Sequence, residues 1–174
     1  MKRAMMAMVV VLTASTAWAQ NPASDALRDG WNSIKRNIKE SAELMPEANY
    51  SFKPTPKVRS FGEILAHVAG ASYVFCASAK NEKSPFAEDA FEKTAKTKAQ
   101  IVKATNDAIA YCDGAFTALT DAGAGTMVAA AFSSGQAPRI NALVGQIGHD
   151  NEHYGNLVTY FRLKGLVPPS SRGQ

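Results

Sequence analysis

The strongest constraint on the fold is the spacing of apolar residues, which recur three and four positions apart along most of the chain. This spacing puts side chains on one face of an α-helix. Helices with one apolar face become stable when they bury that face against one another. We therefore expect an all-α fold, a four-helix bundle. The predicted helices run from about Ser24 to Leu44, Phe61 to Ala79, Lys96 to Leu119 and Pro138 to just before Gly165.

Local signals mark where some of these helices begin. Ser60 followed by Glu63 is a capping box, in which each side chain satisfies a backbone donor at the start of a helix. Ser24 or Asp25 is expected to cap the first helix. The stretch 127–139 has no clear period, and a short helical piece followed by a turn is expected there.

The first residues have the features of a signal peptide. Lys2 and Arg3 precede a short apolar run, and Ala17-Trp18-Ala19 has the form of a signal-peptidase site. The run is shorter than the roughly 20 apolar residues that span a bilayer. We therefore expect a signal peptide at 1–19, one domain at 20–174, a periplasmic or secreted protein, and no stable membrane anchor after cleavage.

The charge of the chain does not favour a nucleic-acid partner. Without Lys2 and Arg3, the 19 basic residues fall to 17 against 15 acidic ones, so the net charge of +4 falls to +2. The lysines from Lys80 to Lys103 are interleaved with acidic residues, which is typical of a solvated surface. The expected partner is a small-molecule substrate or ligand, no nucleic acid is expected, and a homodimer is left open.

The chain has two cysteines, Cys76 and Cys112, both in the part expected to be exported. An oxidising compartment favours a disulfide between them, and two small buried thiols are the alternative. The polar connection from Asn81 to Ala95 is long enough to cross the bundle, in which case the second and third helices run parallel. Both cysteines would then lie near the same end, which favours the disulfide.

Two of the three histidines, His149 and His153, are four residues apart on the last helix. At about 100° per residue their directions differ by about 40°, so both rings can reach one ion, as in helical zinc-binding pairs. The small residues Ala142 and Gly145 on the same stripe are expected to leave room for an ion and a water. The alternative is two polar residues on the outside of a helix.

The third histidine, His67, lies in the apolar stripe of the second helix. A single histidine in such a stripe is more often a hydrogen-bonded core residue. Together with the pair on the last helix it completes a set of three imidazoles, which can hold Zn²⁺ with a fourth position open. Candidates for contact with a metal-binding histidine or with a substrate are Gln146, Asn156 and Tyr160, with packing or surface roles as the alternative.

The segment from His149 to His153 also satisfies H-x-x-E-H, the pattern of an inverted zinc protease. That class needs a further acidic ligand downstream, and no Asp or Glu follows Glu152 in the sequence. A protease is therefore not expected. Glu152 itself is expected to be a surface charge or a general base.

Two stretches, "PTPKVRSFGEILAHVAGASY" and "LVGQIGHDNEHYGNLVTYFRLKGLVPPSS", resemble the DinB family of YfiT-like four-helix proteins. The resemblance covers about Leu27 to Ser171. It implies an up-down-down-up bundle with a long connection between helices 2 and 3. It also implies one divalent metal, nickel or zinc, bound by His67, His149 and His153. The chain departs from the family at Tyr154-Gly155-Asn156, where many members have Arg-Gly-Gln.

These features lead to two functional hypotheses. The first is an exported metal-dependent enzyme, a hydrolase or a thiol transferase, whose nucleophile is a metal-activated water or thiolate. Export tilts this choice toward hydrolysis, because small thiol cosubstrates are mainly cytoplasmic. The alternative is a non-catalytic exported bundle that binds a metal or a small ligand through the same histidines, since the sequence identifies no clear general base and no catalytic residue.

Overall fold

The computed structural model describes residues 21–172, and the expected signal peptide at 1–19 lies outside them. The predicted all-α four-helix bundle is confirmed. Two short turns of 3-10 helix, Glu47–Asn49 and Pro169–Ser171, accompany the main elements. The main helices and strands, in chain order, are α1 (Pro22–Leu44), α2 (Phe61–Lys80), α3 (Ala90–Thr94), α4 (Lys98–Ala118), α5 (Asp121–Ala124), β1 (Met127–Ala129), β2 (Gln136–Pro138) and α6 (Arg139–Leu163).

The four long helices pack so that α2 lies against α4 and α6, and α1 lies against the same two helices. α2 and α6 run in opposite directions. The ring of Phe61, at the start of α2, lies 5.6 Å from that of Phe161, near the end of α6. Phe75, late in α2, contacts Gly145, early in α6. These contacts are compatible with the expected up-down-down-up order.

A disulfide between Cys76 and Cys112 joins α2 to α4. The two Cα atoms are 5.3 Å apart, and both residues are fully buried. At the starts of the same two helices, the Cβ position of Gly62 lies 3.0 Å from the side chain of Ile101. The two helices therefore run in the same direction, as the length of the connection between them led us to expect.

α2 is the central helix of the bundle. Its composition and length would suffice to cross a bilayer, but 83% of its most apolar window is buried inside the protein. Packing against α4 and α6 on two sides accounts for its apolar character. Few of the buried side chains of α2 are polar, and His67 is one of them.

The free backbone N–H groups at the starts of α2 and α1 are satisfied by different kinds of acceptor. The predicted capping box of α2 is present, since Ser60 accepts from the backbone of Glu63 and Glu63 accepts from the backbone of Ser60. The prediction that Ser24 or Asp25 caps α1 was wrong, because both lie inside that helix. Asp121 of α5 receives the free donors instead, accepting from the backbone nitrogen of Ser24 at 2.8 Å and that of Ala23 at 3.2 Å.

The expected helical piece within 127–139 was also wrong, because these residues form a β-hairpin. β1 and β2 pair antiparallel, with Val128 opposite Ala137. The backbone nitrogen of Ala130 donates to the carbonyl of Gly135, whose φ of 99° favours glycine. The hairpin lies between α5 and α6 and carries Phe132, whose ring lies 4.7 Å from that of Phe75 on α2.

Candidate metal centre

The structure brings the three histidines of the chain together between α2 and α6. The ring of His67 lies 4.9 Å from that of His153 and 5.1 Å from that of His149. The rings of His149 and His153 are 4.4 Å apart. One ligand atom of each lies within 4.8 Å of the others. A single ion can therefore be reached by all three imidazoles.

Helix geometry explains how the three rings meet. His149 and His153 lie one turn apart on α6 and share a direction. His67 lies on the inward face of α2, with only 6% of its surface exposed. Because α2 packs directly on α6, the Nε2 atoms of His67 and His149 approach to 3.2 Å.

The outer nitrogen of His67 faces two carboxylates from the connection between α2 and α4. Its Nδ1 lies 3.1 Å from Oε1 of Glu92 and 3.7 Å from Oε1 of Glu88. A carboxylate at this distance holds a proton on Nδ1, which leaves the lone pair of Nε2 directed at the other two rings. Metal-binding histidines in proteins are commonly oriented in this way.

Glu92 is in turn fixed by Arg59, which precedes α2. Nε of Arg59 donates to Oε2 of Glu92 at 2.9 Å, and Nη2 donates to Oε1 at 3.3 Å. This paired contact orients the carboxylate as well as neutralising its charge. The sequence had indicated only a solvated surface around Glu92, and no local pattern in it points to His67.

A second buried carboxylate lies behind His149. Asp150 is 2% exposed, with Oδ1 at 3.5 Å from Nδ1 of His149, and burial raises the pKa of its carboxyl group. Its Oδ2 accepts from Nε2 of Gln146 at 2.8 Å, and the same amide nitrogen donates to Oγ of Ser72 at 2.9 Å. Gln146 therefore lies behind the histidine cluster and approaches His149 through Asp150. The contact of Asp150 with both His149 and Gln146 was not predicted from the sequence.

The surroundings of His67 and His153 favour their neutral imidazole form. Burial, the charge of Arg59 and the neighbouring His149 lower the pKa of His67. Burial and the two other rings lower the pKa of His153 to about 4. Neutral imidazole is the form that binds metal. Within residues 21–172, Nδ1 of His153 is also buried without a hydrogen-bond partner. The donor set thus fits a divalent metal that prefers nitrogen ligands.

The cluster opens into a pocket of about 580 Å³ on the side of His153. Asn156 and Tyr160, two of the residues expected near the site, line this pocket. Asn156 is exposed. The hydroxyl of Tyr160 donates to the backbone carbonyl of Arg59 at 2.5 Å, which fixes both the ring and the segment that carries Arg59.

The room expected beside Gly145 is filled by an aromatic ring, whereas Ala142 lines a pocket separate from the one beside the histidines. A Cβ atom on Gly145 would lie 2.7 Å from Cε1 of Phe75, so the glycine receives that ring and not a water. The same ring lies 5.7 Å from His149. The cluster is therefore closed on the Phe75 side and open on the His153 side. Glu152 is exposed on the surface of α6.

The fold has clear relatives among solved structures. A DinB-like protein from Bacillus cereus ATCC 10987 superposes with a TM-score of 0.66 at 17% identity, over 83% of this chain and 95% of that one. YfiT from Bacillus subtilis, described as a probable metal-dependent hydrolase with an unusual four-helix bundle topology, gives a TM-score of 0.63 at 16% identity, over 91% and 94%.

A third relative is larger than this chain. The mycothiol-dependent maleylpyruvate isomerase superposes with a TM-score of 0.62 at 13% identity, over 77% of this chain and 60% of that one. At these identities the likeness concerns the fold alone. No curated protein sequence matches the chain significantly.

The assignment of the chain to a family rests on its sequence. The model of the DinB superfamily matches residues 33–157, a span that begins in α1 and ends in α6 beyond His153. All three histidines of the cluster lie inside the matched span. The chain belongs to the DinB superfamily.

Proposed function

We propose that the protein is an exported metal-dependent enzyme, a hydrolase or a thiol transferase, in which His67, His149 and His153 hold one divalent metal, nickel or zinc. The observation that carries the proposal is the approach of three imidazole ligand atoms to within 4.8 Å of one another. The description of YfiT as a probable metal-dependent hydrolase supports it. When bound, such a metal lowers the pKa of a water or thiol and so supplies a nucleophile near neutral pH.

The protein itself prepares this site in three ways. Glu92 keeps the proton of His67 on Nδ1, and Arg59 keeps Glu92 in place. Phe75 closes the cluster on one side, so a substrate must enter from the pocket beside His153. Because Phe75 closes one side and the other side is open, a reacting group can approach the cluster from one direction only, and a rigid site orients its substrate in this way.

The choice between hydrolysis and thiol transfer depends on the compartment. Likeness to a mycothiol-dependent isomerase supports thiol chemistry, although this chain covers only 60% of that protein. Export supports hydrolysis, because water is present in every compartment and small thiols are concentrated in the cytoplasm. We therefore favour a hydrolase.

Metal analysis of the purified protein tests the proposal. After reloading with nickel or zinc, we expect about one equivalent in the wild type and a large loss in His149→Ala and His153→Ala. Glu152→Ala is the matched control, because Glu152 lies exposed between these two histidines on the same helix. Far less than one equivalent in the wild type, or full occupancy in both histidine variants, would contradict the proposal.

One observation favours the non-catalytic alternative. None of the residues that line the described pocket is acidic, and the hydroxyl of its tyrosine, Tyr160, is engaged with a backbone carbonyl. A general base within the reach needed for proton transfer is therefore not evident. A screen of the metal-loaded protein with esters, amides and thiol acceptors separates the two functions, since a protein that only binds would bind metal and turn over none of them.

A further inference from the structure

The pocket beside His153 has a pronounced charge. Two of its lining residues are the cations Lys57 and Arg59, and none of its lining residues carries a negative charge. Three of the others are apolar, Pro54, Val58 and Ile64. The pocket therefore combines an apolar wall with two cationic side chains, Arg59 held in place by Glu92 and Lys57 unpaired within 21–172, an arrangement that can position a small molecule through one charged group.

The two cations are available to a ligand. Lys57 is exposed and has no ion-pair or hydrogen-bond partner among residues 21–172. Arg59 uses Nε and Nη2 for Glu92, and its Nη1 group has no hydrogen-bond partner in the described part of the chain. Its side chain is 44% exposed. Because Tyr160 holds the backbone of Arg59, this guanidinium is anchored where a ligand would meet it.

The histidine cluster adds no negative charge to balance these cations. Three imidazoles are neutral ligands, so a divalent metal held by them keeps its full charge of about +2, often the largest local charge in such a site. The carboxylates of Glu92 and Asp150 lie beside the outer nitrogens of His67 and His149, and neither residue lines the pocket. The lining of the open side thus carries positive side chains and no negative one.

We propose that this pocket binds small molecules through an anionic group, a carboxylate or a phosphate, held by Lys57 and Arg59 with the rest of the molecule directed toward His153. The inference rests on the proposed function in assigning that remainder the role of reacting group. A pocket of about 580 Å³ is within the range of small-ligand sites. An anion between two cations gains charge-assisted hydrogen bonds that a neutral analogue lacks.

Calorimetric titration of the metal-free protein with glutarate, with its neutral diamide and with inorganic phosphate tests the inference. We expect glutarate or phosphate to bind at least about tenfold more tightly than the diamide. Lys57→Met should remove most of this preference, and Arg59→Lys should reduce it while keeping the charge. Lys39→Met is the matched control, because Lys39 is an exposed lysine of α1 that does not line the pocket, and it should retain the preference.

The outcomes separate this inference from the proposed function. Equal affinities for anion and diamide, no measurable binding of either anion, or a preference that survives in both Lys57→Met and Arg59→Lys would overturn the inference. Equal loss in Lys39→Met would also overturn it, since net charge alone would then explain the binding. Metal binding without an anion preference would defeat only the inference, and an anion preference in a protein that binds no metal would defeat only the proposed function.

Discussion

Nδ1 of His67 lies 3.1 Å from a carboxylate oxygen of Glu92, although 25 residues separate the two in the sequence. The contact joins the buried central helix α2 to the short helix α3 in the polar connection. The connection therefore does more than cross the bundle. It supplies the group that fixes which nitrogen of His67 faces the other histidines.

Replacing Glu92 by Gln should weaken metal binding by about 10-fold to 100-fold, since loss of a carboxylate behind a metal-binding histidine has effects of this size. Gln keeps the size and an acceptor oxygen but not the charge. Chelator competition measures the affinity, and circular dichroism checks the fold. Glu88→Gln is the control, because Glu88 is farther from His67, at 3.7 Å. Equal metal affinity in the wild type and Glu92→Gln would show that Glu92 does not support the metal site.

Replacing Gly70 by Ala should dislodge the connection. A Cβ atom at this position would lie 1.8 Å from the backbone carbonyl oxygen of Glu88, and backbone cannot move aside as a flexible side chain can. We expect a destabilisation of about 1 to 3 kcal/mol and weaker metal binding as Glu92 shifts. Urea unfolding and chelator competition measure the two effects.

Gly155→Ala is the control for this variant. A Cβ atom on Gly155 would meet nothing within 4 Å, and Ala in a helix is favoured over Gly by roughly 1 kcal/mol. This variant should be as stable as the wild type or slightly more so. If Gly70→Ala were equally stable, the connection between α2 and α4 would not approach Gly70 as closely as described.

Removing the disulfide with Cys76→Ala and Cys112→Ala together should lower the free energy of unfolding by about 3 to 4 kcal/mol, the loop-entropy value for cysteines separated by 36 residues. Denaturant titrations of the variant and the oxidised wild type give the difference. Because both cysteines are fully buried, the native protein should also resist mild reductant. Equal unfolding midpoints for variant and wild type would show that the bridge adds nothing to stability.

The contact of Asp121 with the start of α1 should make stability depend on pH. Hydrogen bonds from the side chain and backbone of Ser24 lower the pKa of Asp121 below its ordinary 3.8. A lowered pKa in the folded state stabilises the protein above the ordinary pKa, and this contribution disappears as the pH falls through the lowered value. Asp121→Asn should therefore be less stable than the wild type at pH 7 and equally stable in strong acid. Urea midpoints across this range test it, and a difference independent of pH would contradict it.

The sequence predicted those parts of the protein that depend on local spacing. The four long helices follow from apolar periodicity, the start of α2 from Ser60 and Glu63, and the pairing of His149 with His153 from one helical turn. The proximity of His67 was harder to predict, because it depends on how α2 packs against α6. It was expected from the set of three histidines and from the family resemblance.

The parts that were missed depend on contacts between distant segments. Asp121 replaces a local cap of α1 across 97 residues, and Glu92 reaches His67 from a stretch whose composition is that of a solvated surface. The ring of Phe75 fills the space at Gly145, although a glycine in a sequence does not reveal whether a side chain or water lies over it. These are properties of tertiary packing, which periodicity along one chain does not contain.

The disulfide and the histidine cluster hold different sides of α2. Cys76 ties it covalently to α4, and His67 would tie it to α6 through a metal that His149 and His153 share. With both links formed, three of the four long helices become a single cross-linked unit. α1 would remain outside that unit, retained by packing and by contacts such as the one from Asp121. Partial unfolding should then begin with α1, while the disulfide and a bound metal keep α2, α4 and α6 linked to one another.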